Sequence, residues 1–149
     1  MNSLIVGAIG VVLGFLLSIA RDWWQRKRRH AAFWAAISAE SEYCGQLAEK
    51  YLGDGILAPL YRLPTTAHAS ALPMLLADGA LVKSEVTALI EFVAEVEGFN
   101  RGLDRSADAP SESARLEEFE RNKLKACRLT SSGATFQAVR QVHVTRSTI

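Results

Sequence analysis

Hydrophobic and polar residues alternate along this chain at helical periods. The first twenty residues, MNSLIVGAIGVVLGFLLSIA, hold no charged side chain. At a rise of about 1.5 Å per residue, 18 residues extend about 27 Å, close to the ~30 Å hydrocarbon core of a bilayer. The pattern therefore predicts one transmembrane helix over residues 2–20. From residue 31 the apolar positions narrow to one stripe. Phe33, Ile37, Cys44, Leu47 and Tyr51 recur mostly at three- and four-residue steps, with Glu40 interrupting them. No proline separates this stretch from the anchor, so the anchor is expected to continue into a stalk helix over residues 31–52, closed by Gly53-Asp54-Gly55.

Beyond the stalk, about three further helices are predicted. Pro59, Pro64 and Pro73 mark a connector. Thr65 or Thr66 is placed to cap a helix reaching about Ala77, with Pro73 either kinking it or marking its true start. Asp78-Gly79 reads as a turn and Ser84 as the cap of the next helix. That helix has a wide apolar stripe, Val86, Leu89, Ile90, Val93 and Val96, broadened by Phe92, Phe99 and Leu103. So wide a stripe implies burial against at least two neighbours. Residues 105–113 are polar and hold a proline, as a loop does. Ser111 or Ser113 can cap a last helix with a thin seam of Leu116, Phe119, Leu124 and Cys127, its acids first and its bases last, matching the helix dipole. Residues 131–149 are expected to be a weakly ordered tail. The fold class is all-α: a transmembrane helix (2–20), a basic and aromatic juxtamembrane segment (21–30), the stalk (31–52), a small cytoplasmic helical domain (53–130) and the tail.

Charge supplies the orientation. Residues 21–30 carry five basic residues and one acid, net +4, while the whole chain is +1. The domain is therefore mildly acidic, with no general nucleic-acid footprint. Trp23 and Trp24 stand where indoles favour the membrane interface, and Arg26, Lys27, Arg28 and Arg29 can reach anionic head groups. The same segment has the makings of a nucleic-acid stacking site, but it abuts the bilayer, where phosphates are already present. The charge follows the apolar run and no small-x-small cleavage site precedes it, which fits an uncleaved signal anchor. Basic residues stay inside, so the N-terminus is expected out and the domain cytoplasmic, in the inner membrane if the source is bacterial. Within the span, Ser3, Gly7, Gly10, Gly14 and Ser18 form a small-residue face of the kind that lets helices approach closely.

Candidate chemistry is sparse. The two cysteines, Cys44 and Cys127, form no motif, and His30, His68 and His143 are scattered. In MLLADGALVKSE, Asp78, Gly79 and Glu85 match three positions of a calcium-binding EF-hand loop. Met74 and Leu76 stand where its first two ligands belong, which leaves a simple turn. Arg62 and His68 are spaced R-x5-H, which resembles the catalytic spacing of helical HEPN-type ribonucleases; Pro64 lies between them. Glu91, Glu95, Glu97 and Asp104 read as a solvated face. No phosphate loop or serine elbow occurs. The expectation is a non-catalytic interaction, scaffold or regulatory subunit, without cofactor or metal. Its expected partners are the bilayer and a protein or itself, with no nucleic acid. The alternative is an oligomerising, bilayer-perturbing effector of toxin or defence type, and a helical nuclease is the remote third.

Overall fold

The computed structural model describes the backbone of residues 2–55 and 61–147 and the side chains of residues 10–55 and 61–131. Its elements are α1 (Asn2–Asp54), α2 (Thr66–Ala77), α3 (Lys83–Ala107) and α4 (Glu112–Ser147). No strand occurs among the described residues, so the all-α class is observed. The chain divides into two compact units, Met1–Ala32 and Phe33–Ile149.

The first unit is the N-terminal part of α1. Val11, Val12, Leu13, Phe15, Leu16, Leu17 and Ile19 are each at least 50% exposed. Among the described residues, no helix is long and apolar enough to cross a membrane. The expected span has the side chains of residues 2–9 outside the described set, which leaves Gly10–Ala20 of it.

In the second unit, the stretch expected as a stalk helix packs one face against the helices that follow. Trp34, Ile37, Ser41, Cys44, Ala48 and Tyr51 are buried at alternating steps of three and four. This seam differs from the one expected, because Ser41 and Ala48 are too polar or too small to stand out by hydropathy. The helix ends at Asp54, and Gly55 follows at φ 62°, the left-handed conformation that glycine adopts without a side-chain clash. Tyr51 joins three helices: its ring lies 5.0 Å from Phe99 of α3, edge to face, and 5.0 Å from Phe119 of α4.

Pro73 lies inside α2, so that helix starts at Thr66 and not at the proline. Its end is a Schellman turn: Ala80 N–H donates to Leu75 O, Gly79 N–H to Leu76 O, and Gly79 takes φ 62°. Helix α3 begins at Lys83, which puts Ser84 inside its first turn. The expected Ser84 cap is replaced by the Glu85 carboxylate, which accepts the Val82 N–H at 2.8 Å. The α3 stripe is also rotated from the expected one. Leu89, Phe92, Val96, Phe99 and Leu103 are buried, whereas Ile90 is 55% exposed. The expected Ser111 cap is present, its Oγ accepting the Ala114 N–H at 3.2 Å. Helix α4 then runs to Ser147, beyond the end expected near residue 130. The Thr130 and Ser131 hydroxyls donate back to the Cys127 and Arg128 carbonyls, 2.8 Å each, so these polar residues join the helix instead of breaking it.

Helices α3 and α4 approach closely at Gly102. A Cβ built there would stand 2.1 Å from Asn122 Oδ1. Asn122 Nδ2 donates to Phe99 O (3.2 Å) and Lys125 Nζ to Gly98 O (2.8 Å), so α4 hydrogen-bonds directly to the α3 backbone. The ion pairs Arg128–Glu95 (3.3 Å) and Arg105–Glu118 (3.5 Å) flank the seam. Exposed pairs of this kind add little, typically below about 1 kcal/mol.

Candidate functional site

A buried polar group in the second unit surrounds Glu40. Its position on α1 looked like a break in an apolar stripe; the fold turns it toward the first turn of α2. One carboxylate oxygen accepts the Ala67 N–H at 2.9 Å. The other accepts the His68 N–H at 2.9 Å and faces His68 Nδ1 at 2.5 Å. The side chains of His68 and Glu40 are 1% and 7% exposed. Thr65 gives α2 no side-chain cap, so Glu40 caps it from another helix. The His68 ring stacks on Phe92 of α3 at 5.0 Å, which ties α1, α2 and α3 together.

Burial alone pushes the Glu40 carboxyl up. The bonds from the His68 ring and from the Ala67 and His68 N–H groups outweigh it and hold the group below its ordinary 4.5. Cys44, one turn along α1, is fully buried and donates its Sγ–H to Pro64 O at 3.4 Å. Burial, and after it the Glu40 charge, pushes this thiol up to about 12. A nucleophilic cysteine needs its thiolate at neutral pH. Glu40 and His68 therefore crosslink α1 to α2, and Cys44 ties α1 to the connector at Pro64 as a neutral thiol.

The other expected candidates disperse. His68 is buried against Glu40, while Arg62, its partner in R-x5-H, is 67% exposed and pairs with Asp104 at 2.6 Å, so the two side chains have separate partners. Between them, Leu63 is clamped to α3: Asn100 Oδ1 accepts its N–H and Asn100 Nδ2 donates to its carbonyl, both at 2.9 Å. Asp78 and Gly79 form the turn expected, and Glu85 is spent on the α3 cap. No group that could hold a metal ion occurs among the described residues. The acidic set on α3 divides among separate partners: Glu95 with Arg128, Glu97 with Arg101 and Asp104 with Arg62. Glu40, Asn100, Asn122 and Gly102 carried no local signal of these roles.

In the first unit, Ser3 and Gly7 of the small-residue face lie outside the described side chains, and His143 does so at the other end. Gly10, Gly14 and Ser18 are exposed, and a Cβ added at Gly10 or Gly14 would meet no described atom within 4 Å. Trp23 and Trp24 are 58% and 56% exposed. Lys27 Nζ sits 4.3 Å above the Trp23 ring and the Arg28 guanidinium 3.9 Å above the Trp24 ring. Arg26 and Arg29 are exposed beside them. No family model, no curated protein and no solved structure matches the chain.

Proposed function

We propose that this chain is a single-pass membrane-anchored protein with N-terminus out and helical domain cytoplasmic, acting as a non-catalytic interaction or scaffold subunit. One observation carries the reading: seven large apolar side chains between Val11 and Ile19 stand exposed around α1. Moving such side chains out of water is worth about 1.5–3 kcal/mol each, on the order of 10 kcal/mol together. An apolar surrounding must supply it. The uncharged run continues through residues 2–9, and with them it reaches bilayer thickness. Tryptophans and then cations follow, in the order an interface demands.

The interaction role is supported by a contrast within the chain. Gly98 and Gly102 of α3 share the spacing of Gly10 and Gly14 and are covered by Lys125 and Asn122, whereas nothing described covers the first pair. An open face of this kind in lipid favours a second helix. The same face would serve the second reading, a bilayer-perturbing oligomer; expression that leaves membrane potential intact counts against it.

Cys127 is exposed and provides a native topology probe. A membrane-impermeant maleimide is expected to label it in spheroplasts only after permeabilisation, in chain that survives a urea wash of the membranes. Release by urea, or labelling of intact spheroplasts, refutes the anchor or its orientation. Gly10→Ile with Gly14→Ile is expected to abolish crosslinking between α1 helices.

A further inference from the structure

We infer that Arg26, Lys27, Arg28 and Arg29 form a ring that gathers anionic phospholipid headgroups around α1. The inference rests on the membrane-anchored reading and adds the partner's chemistry. Consecutive residues of an α-helix turn by about 100° and rise about 1.5 Å. Four consecutive cations therefore point in four directions, with no gap wider than about 100°, inside a slab about 4.5 Å thick. That is the shape of one phosphate layer surrounding a helix. A nucleic acid or a protein face meets one side of a helix and would leave half of this ring unused. Arg21 adds a fifth cation, and Asp22 is the only acid among residues 21–30.

The tryptophans fix the depth of the layer. Trp23 and Trp24 lie one turn nearer the apolar run, about 6 Å along the axis. Long helical side chains lean toward the N-terminus, and here they carry the Lys27 ammonium to 4.3 Å above Trp23 and the Arg28 guanidinium to 3.9 Å above Trp24. Both cations are thus held at the indole level, while both rings remain more than half exposed to receive lipid. Charge opposite to the ring, on every side and at one depth, belongs to the phosphates of anionic lipids.

The test uses the full chain reconstituted in vesicles of phosphatidylcholine with a minority of phosphatidylglycerol. Energy transfer from tryptophan to a dansyl headgroup is measured twice, with the dansyl on phosphatidylglycerol or on phosphatidylcholine. A preference for the anionic probe of at least about fivefold is expected, the factor one such cation supplies at a membrane surface. It should fall with salt and vanish in the Arg26→Gln, Lys27→Gln, Arg28→Gln, Arg29→Gln variant. It should survive in the Arg26→Lys, Arg28→Lys, Arg29→Lys variant, which keeps the charge. Chain that resists a urea wash yet shows no preference overturns the ring while leaving the anchor standing. Chain that urea removes overturns both. Binding of an RNA or DNA oligonucleotide that the glutamine variant loses, without lipid preference, assigns the cations to the other class and overturns the inference.

Discussion

The close approach of α3 and α4 at Gly102 gives a quantitative test. Gly102→Ala places a methyl group 2.1 Å from Asn122 Oδ1, 2.5 Å from its Cγ and 2.8 Å from its Nδ2. All three distances are shorter than any ordinary carbon contact, so Asn122 must move. It is 1% exposed and bonded to Phe99 O. It also stands beside the Tyr51 hydroxyl, which burial pushes up to about 12 and which the Asn122 amide only partly relieves. Displacing Asn122 costs about 1–3 kcal/mol of overpacking and a further 1–3 kcal/mol for the stranded polar atoms. Alanine returns about 1 kcal/mol of helix propensity. The net loss is about 1–5 kcal/mol, centred on about 3 kcal/mol, or about 1–2 M in urea midpoint at the usual dependence for a domain of this size. Gly98→Ala is the internal control. Its Cβ meets only Lys125 Cδ, at 3.9 Å, so it keeps the propensity gain and should stabilise slightly. Circular dichroism in urea, on detergent-solubilised chain, compares the two. Equal midpoints would refute the close-approach reasoning, and Gly102→Ala with Asn122→Ala should recover much of the loss.

Four further outcomes follow from the second unit. Native protein should present one fast thiol to Ellman's reagent, Cys127, and a second only in denaturant, because burial and the Glu40 charge hold Cys44 near 12. The Glu40 carboxyl is held below its ordinary 4.5, so the folded state binds its proton less readily than the unfolded chain does; the stability this confers is complete above 4.5 and is lost as pH falls through the folded value. Glu40→Gln should flatten that acid limb of a stability-against-pH curve, and an unchanged limb would remove Glu40 as its source. At the other end, Cys44 and Tyr51 are raised from 9.0 and 10.0 to about 12, so stability should decline as pH climbs from 9 toward 12, less steeply in Cys44→Ala. Asn100→Ala removes both bonds to Leu63 and should cost about 1–3 kcal/mol, with faster amide exchange at Leu63 as its local mark.

The helices were legible because each buries a stripe whose spacing survives in the sequence. Their rotations were less legible. On α1, Phe33 outranks Trp34 only if Ser41 and Ala48 are discounted, yet the buried seam runs Trp34, Ile37, Ser41, Cys44, Ala48, Tyr51. Hydropathy scores side chains singly, whereas burial follows geometry. Glu40 shows the same limit more strongly. A carboxylate in an apolar stripe reads as an interruption until its partners are known, and those lie 27 and 28 positions away at Ala67 and His68. Asn100 and Asn122 act across 37 and 23 positions. No local period encodes such pairs. The extension of α4 had a local cause that was readable in principle, since Thr130 and Ser131 can satisfy their hydroxyls inside a helix.

The position of the cations constrains how the open glycine face can be used. Arg28 is 18 residues after Gly10, five whole turns, so it lies in line with that glycine, and Arg21 lies within about 20° of the same line. If α1 pairs with its own copy in parallel through Gly10 and Gly14, these arginines approach their counterparts just outside the apolar run. A left-handed coil would keep the helix axes about 8–10 Å apart along their length and hold the arginines face to face. A right-handed crossing near −40°, typical of this glycine spacing, lets the helices diverge. From a crossing near residue 12, the axes would be about 11 Å apart at Arg21 and about 18 Å apart at Arg28. Those separations exceed the Debye length of about 8 Å at physiological salt. If α1 pairs through this face in a membrane, as proposed, a crossed pair keeps its contacts near the glycines and separates the cations more than a left-handed coil would.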